Sequence, residues 1–190
     1  FVISMSELLG LMSIEESCRI LSLVAEQAIV QTTSYLLRQA GMKSTVRCGW
    51  TILAMGKLGA GELNYSSDLD LISLHSPNAI NSDKQFIELC KRLVYLLSTK
   101  TKDGNGWRID MRLRPNPSAT GISVDINTAA IYYESIARTW ERAAFVRARP
   151  IAGDTKLGKD FLSQIEPFIW RSTLDYSVIE DLQNWLRHLP

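Results

Sequence analysis

Cysteine, histidine and surplus charge of either sign are all scarce in this 190-residue sequence, and each shortage closes off a class of function. Its three cysteines, Cys18, Cys48 and Cys90, are odd in number and widely spaced. That pattern fits reduced, mostly buried thiols and not a disulfide framework. With only His75 and His188 to accompany them, no compact Cys/His zinc site can be written. The formal charge is +1. A dedicated nucleic-acid binder needs a basic excess to neutralise phosphates, so the expectation is no nucleic acid, and any phosphate recognition is local. No apolar run reaches the roughly 18–20 residues that a membrane span requires, and no signal peptide is visible. The expectation is therefore no membrane and a cytoplasmic location. The chain starts at Phe1 and stops at Pro190 just after a helical pattern, so it reads as a piece of something longer.

What is present is a packable chain. Hydrophobic residues make up 46% of it, enough for an ordinary core. Helical spacing of apolar residues runs from Ser13 to Gln39, opened by a Ser13–Glu16 capping box and stopped at Gly41. Val46–Met55 reads as a buried strand, and Gly56, Gly59 and Gly61 then break the chain into a loop. Leu69–His75 is a second strand, closed by Pro77 and Asn78. Ser82 or Asp83 caps a helix through Leu97. Asp103-Gly104-Asn105-Gly106 is a turn, and Trp107–Arg114 a third strand ended by Pro115. Helices follow over Ala129–Ala137 and Thr139–Arg149, with Pro150 and Gly153 as stops, then near Lys156–Gln164 and Leu174–Leu189. The outline is α+β: a small mixed sheet flanked by N- and C-terminal helices. It divides into a helical flank over residues 1–42, a core over 43–126 and a helical region over 127–190.

The carboxylates carry the chemistry. Side chains two apart on a strand share a face, so Asp68 and Asp70 point the same way. Two adjacent carboxylates repel each other, and a divalent cation between them reverses that cost. Hard oxygen ligands suit Mg²⁺ or Mn²⁺. On the third strand Trp107, Ile109, Met111 and Leu113 fall on one face, and Arg108, Asp110, Arg112 and Arg114 on the other. A half-exposed strand accounts for that alternation by itself. An aspartate among arginines is also what a metal–phosphate site requires, with guanidinium forks for phosphate oxygens. The glycine loop from Gly56 and Lys57 to Gly61 is neither a P-loop, because its lysine stands at the start, nor a dinucleotide fingerprint, because its spacing is G-x-x-G-x-G. An EF-hand beginning at Asp68 fails at Ile72, Ser73 and Ala79. Backbone N–H groups of the loop and Lys57 can still approach a phosphate that side chains would obstruct.

A glycine turn after a strand, Asp-x-Asp on the next strand and a third aspartate on a later one together resemble the polymerase-β-type nucleotidyltransferase superfamily. Longer words narrow this. Gly56-Lys57-Leu58-Gly59, Glu62-Leu63-Asn64-Tyr65-Ser66-Ser67-Asp68-Leu69-Asp70-Leu71, Asp110-Met111-Arg112-Leu113-Arg114-Pro115 and Trp140-Glu141-Arg142-Ala143-Ala144 resemble the glutamine synthetase adenylyltransferase/adenylyl-removing enzyme family, as does Arg147-Ala148-Arg149-Pro150. The similarity runs at least from Thr51 to Asp154. The resemblance implies that Asp68, Asp70 and Asp110 are catalytic and bind Mg²⁺ or Mn²⁺. It implies that Gly56, Lys57, Ser66, Ser67, Arg112 and Arg114 contact nucleotide and phosphate, with adenine nucleotide and phosphate as substrates or products. It also implies glutamine synthetase as partner, and PII-type signalling proteins acting through a regulatory region of the full-length protein. One catalytic half of that family attaches AMP from ATP to a tyrosine of glutamine synthetase, and the other removes it by phosphorolysis, releasing ADP. Asn64, Trp140–Ala144, Asn116-Pro117 and the Ala148–Asp154 segment resemble the removing half. The alternatives are the transferase half, another small-substrate nucleotidyltransferase, and an inactive fold kept as a regulatory module.

Overall fold

The computed structural model describes residues 1–42, 47–77, 83–102 and 104–170. The expected turn at Asn78, the cap at Ser82, the start of the first strand at Val46, the turn residue Asp103 and the helix at Leu174–Leu189 lie outside the described residues. Helices α1 (Val2–Leu8) and α2 (Ile14–Gln39) lead into strand β1 (Trp50–Ala54), a short helix α3 (Gly56–Ala60) and strand β2 (Leu69–His75). Helix α4 (Asp83–Ser98) is followed by β3 (Ile109–Asp110), β4 (Ser123–Asp125), α5 (Ile126–Ser135) and α6 (Thr139–Phe145). Strand β5 (Arg149–Gly153), α7 (Thr155–Gln164) and α8 (Glu166–Ile169) complete the described chain. The Ser13–Glu16 capping box opens α2 as expected.

The sheet is mixed. Strand β1 pairs antiparallel with β2 on one side and with β5 on the other. Two short strands share the remaining edge of β2. Strand β3 runs parallel to Leu69–Asp70, and β4 runs parallel to Ser73–His75. Helices cover both faces. Trp50, Ile52, Ala54, Leu69 and Leu71 pack with Ala25, Ile29, Phe86 and Leu93 from α2 and α4. Leu53, Met55, Ile72 and Leu74 pack with Ala129, Tyr133, Phe145 and Phe161 from α5, α6 and α7. Burial on both faces is why β1 and β2 read as continuous apolar runs. Each such side chain contributes about 1.5–3 kcal/mol. A surface pair such as Lys91–Glu88, both members more than half exposed, contributes well under about 1 kcal/mol, so the core decides the fold.

Three expectations need correction. The helix expected over Thr139–Arg149 stops at Phe145, and Arg149–Gly153 is a strand on the edge of β1. Pro150 is tolerated there because β5 has only one paired edge. The third strand shrinks from Trp107–Arg114 to two residues, because the backbone turns at Met111. The glycine segment expected as a loop contains one helical turn, α3.

A buried polar chain ties β1, β2 and β4 together. Trp50 Nε1 donates to Ser73 Oγ at 2.8 Å, and Ser73 donates to Ser123 Oγ at 2.9 Å. Ser123 has one hydroxyl proton, and His75 Nδ1 lies 3.0 Å away. The run of donors therefore makes Nδ1 the acceptor and leaves the ring proton on Nε2. Nε2 faces Asp83 Oδ1 at 3.3 Å. Burial pushes the His75 pKa down, against the opposing charges of Asp83 and Asp125. The unfolded chain takes this proton near the ordinary value of about 6.5, the folded chain only at lower pH. Between those two values the unfolded state binds more protons, so stability is full above the window and falls as pH drops through it. Unfolding midpoints measured between pH 5 and 8 should show that loss, with a slope of at most about 1.4 kcal/mol per pH unit. His75→Asn should flatten the slope.

Candidate active site

Position along β2 explains where a cleft opens. Leu69 and Leu71 face the α2–α4 layer, so Asp70 between them projects to the other face. There Ile72 and Leu74 lie under α5 and α7, but the end of the strand carrying Asp70 is only half covered. The parallel register sets Asp70 beside Asp110 of β3. Asp68, two residues earlier, joins them. Gly56, Lys57, Ser66, Ser67, Asp68, Asp70, Arg108, Asp110 and Arg112 line one open cleft of about 440 Å³.

Each wall has a local cause. Gly56 adopts φ +51°, and a Cβ there would stand 2.7 Å from Asp70 Oδ2. Only glycine allows the start of α3 to lie this close to the carboxylate. Asn64 folds the serine segment into an Asx turn. Its Oδ1 accepts from Ser66 N at 3.1 Å and from Ser67 Oγ at 2.7 Å, while Ser67 Oγ accepts from Asn64 N. Ser22 Oγ of α2 anchors the approach to this turn by accepting from Leu63 N at 2.9 Å.

The electrostatics oppose one another across the cleft. Burial raises the pKa of Asp70, and the negative charges of Asp110 and Asp68 raise it further, with Arg112 working against them. Hydrogen bonds from Arg112 hold the Asp110 carboxyl below the usual range. Arg112 Nε and Nη2 reach Asp110 Oδ2 at 2.9 and 2.6 Å, and the Arg112 backbone N–H donates to Oδ1 at 2.8 Å. Arg108 Nε stands 2.5 Å from Asp68 Oδ1, and its Nη2 donates to the Ser66 carbonyl. Asp68 Oδ1 is buried and makes no aligned hydrogen bond despite that ion contact. The three aspartates are hard oxygen donors in one cleft, with a mutual repulsion that a divalent cation would relieve. The donor chemistry fits such a cation. Their present spacing is that of carboxylates drawn toward arginines: among the described residues no group of three His, Cys, Asp or Glu stands at metal-holding distances.

Of the residues marked from sequence, Gly56, Lys57, Ser66, Ser67, Asp68, Asp70, Asp110 and Arg112 come together here. Arg114 does not line the cleft. Its guanidinium donates to the carbonyls of Met111 at 2.8 Å, Gly121 at 3.0 Å and Pro117 at 3.0 Å. The strand alternation that put Arg114 beside Arg112 ends when the chain turns at Met111. Arg108, which that alternation set on the Asp110 face but no motif marked, does line the cleft. Asn64 shapes the serine turn from outside it. In the tryptophan-led segment, Glu141 is buried and accepts from Tyr132 Oη at 3.0 Å and Arg138 N at 2.7 Å. That makes it a packing anchor between α5 and α6. Arg142 and Arg149 do not share a helix face, because Arg149 belongs to β5.

Comparisons with known proteins show the family. A family model described as glutamate-ammonia ligase adenylyltransferase matches residues 1–164. The chain belongs to that family. Among its relatives is a bifunctional glutamine synthetase adenylyltransferase/adenylyl-removing enzyme of Bartonella henselae, 38% identical over 99% of this chain and 21% of the relative. One of the same description from Rhizobium meliloti is 42% identical over 84% of this chain and 17% of the relative. Another, from Mesorhizobium japonicum, is 36% identical over the whole chain and 21% of the relative. The chain thus spans about one fifth of the length of these family members.

The contact between Gly56 and Asp70 yields a direct expectation. Gly56→Ala adds backbone strain of about 1–3 kcal/mol and drives the Asp70 carboxylate out of place. At about 2–4 °C per kcal/mol for a chain of this size, the thermal midpoint should fall by several degrees while the chain stays folded.

Proposed function

We propose that this chain removes AMP from adenylylated glutamine synthetase by phosphorolysis, releasing ADP, with Mg²⁺ or Mn²⁺ held by Asp68, Asp70 and Asp110. The observation that carries this reading is the convergence of the three aspartates with Gly56, Lys57, Arg108 and Arg112 on one cleft. When bound, the cation supplies neutralisation of the charge that builds on the AMP phosphorus and its oxygens. Lys57 would bind phosphate oxygens, and so would Arg112 as a planar fork once released from Asp110, which its Nε and Nη2 hold in this structure. Ser66, on the turn that Asn64 fixes, offers its hydroxyl to the cleft, while Ser67 spends its own on Asn64 Oδ1 and holds the turn. An oxygen of HPO₄²⁻ attacks the AMP phosphorus, and the bond from phosphorus to the tyrosine oxygen breaks. The departing phenolate keeps that electron pair and takes the proton that the attacking phosphate carried, so the products are ADP and free tyrosine. Orientation and charge neutralisation supply the acceleration. The catalytic unit is the core over 43–126 with its helical flanks, working in the cytoplasm within a longer protein that answers to PII-type proteins.

The removing direction rests on the resemblance of Asn64 and the Trp140–Ala144 segment to that half of the family. The same carboxylates and arginines also serve the reverse chemistry, in which tyrosine attacks ATP and pyrophosphate leaves, so that reading stands second. Both reactions should be offered to one preparation. Phosphate-dependent ADP release from modified glutamine synthetase is expected, whereas AMP incorporation from ATP alone would reverse the assignment. Asp68→Asn, Asp70→Asn and Asp110→Asn should each lower the rate by at least about 100-fold with little change in unfolding midpoint. Arg112→Lys should weaken phosphate binding, because a lysine cannot reproduce the fork; unchanged affinity and rate would remove Arg112 from the site.

A further inference from the structure

The structure holds an arginine outside the cleft that controls one of its walls. Arg149 on β5 sends its guanidinium across to α3. Nε donates to the Gly59 carbonyl at 2.9 Å and Nη2 to the Leu58 carbonyl at 3.3 Å. The same Nη2 donates to Glu26 Oε2 of α2 at 2.6 Å. Helix α3 is a single turn, too short to hold itself together. Gly61 N and Glu62 N already donate to the Leu58 and Lys57 carbonyls, but the Gly59 carbonyl at the end of the turn takes its donor from outside it. Arg149 supplies it, and its positive charge suits the C-terminal end of the turn. Gly59 completes the seat: a Cβ there would stand 2.2 Å from the Arg147 carbonyl and 2.8 Å from that of Ala54. The turn therefore lies directly on the backbone of β1 and of the segment that leads into β5. At its other end are Gly56, pressed against Asp70, and Lys57 in the cleft.

We infer that Arg149, oriented by Glu26, is a positioning residue that clamps the C-terminal end of α3 and so sets Gly56 and Lys57 at the distance from Asp70 that phosphate binding requires. This rests on the reading that Gly56 and Lys57 serve phosphate. Arginine is needed because three acceptors on two elements are met by one rigid fork; a lysine has one nitrogen for the same task. Glu26, largely covered by its surroundings, keeps the fork from turning to solvent. The clamp also explains why the chain carries an arginine at the first position of an edge strand, where its backbone pairs with Ala54 of β1 and its side chain reaches the C-terminal end of the glycine turn.

The test uses Arg149→Gln, Arg149→Lys and Glu26→Gln in this chain. Amide exchange across residues 55–62 is measured by mass spectrometry, together with the affinity for ADP and the KM for inorganic phosphate. Arg149→Gln should speed exchange in 55–62 selectively and raise the KM for phosphate about tenfold or more with little change in kcat, since displacements of about 1 Å have effects of this order. Glu26→Gln should do the same to a smaller degree, and Arg149→Lys should fall between wild type and Arg149→Gln. Unchanged exchange in 55–62, or exchange raised equally throughout the chain with a lowered unfolding midpoint, would overturn the clamp. If wild type binds neither phosphate nor ADP, the phosphate reading of the cleft fails; the exchange result then judges the clamp alone. Normal phosphate KM in an Arg149→Gln variant whose 55–62 exchange is raised would overturn the link from clamp to phosphate.

Discussion

Two aspartates set side by side by parallel strand pairing are the constraint from which the cleft follows. The register of Leu69–Asp70 with Ile109–Asp110 leaves no freedom in where Asp70 and Asp110 stand, and Asp68 adds a third charge. Like charges at such spacing in a half-covered site are unfavourable, and the structure answers with cations at close range. Arg112 forks onto Asp110, and Arg108 meets Asp68. Asp70 receives no such partner, and its pKa is raised by burial first and then by the charges of Asp110 and Asp68. The glycine at position 56 belongs to the same constraint, since the backbone must approach Asp70 more closely than any side chain would allow.

Four arginines show how identical side chains take different tasks by what they can reach. Arg108 and Arg112 lie on an exposed strand end beside carboxylates, and their charge is used at the cleft. Arg114 and Arg149 find backbone carbonyls instead. Arg114 draws the 111–121 segment into a fixed loop, and Arg149 closes the end of α3. Bonds from a rigid side chain to several carbonyls tie a turn down, so these two arginines act on shape. The first pair lines the cleft, and the second ties down segments beside it.

The layered core makes this possible by being indifferent to it. Strands β1 and β2 are apolar on both faces and buried between two groups of helices, so the sheet is fixed without help from the polar end. The ends of the strands are then free to carry charged groups, as the three aspartates show. The exposed apolar side chains of Phe1, Val2 and Leu8 do not line the cleft, although Glu7 of α1 accepts from Tyr65 Oη at 2.9 Å beside the serine turn.

Much of the site could be read directly from residue order. Asp-x-Asp at the start of an apolar run, a glycine turn before it and an alternating strand after it placed Asp68, Asp70, Asp110, Gly56, Lys57 and Arg112 in one group, because period-two geometry is a local property of the chain. The long helix α2 and its Ser13 cap were equally local. The sequence did not reveal that Arg149–Gly153 is a strand: its pairing partner, β1, lies about a hundred residues away, and Pro150 and Gly153 read as helix stops. Nor did it reveal where the third strand ends. The alternation of arginines continues past Asp110, but the hydrogen-bond partners for a longer strand do not, so Arg114 turns to carbonyls and Arg108 takes its place in the cleft. Residue spacing determined which charges the chain carries and on which faces they begin; long-range pairing decided which of them meet, because only tertiary contacts say where a strand stops and which carbonyls are left in need of a donor.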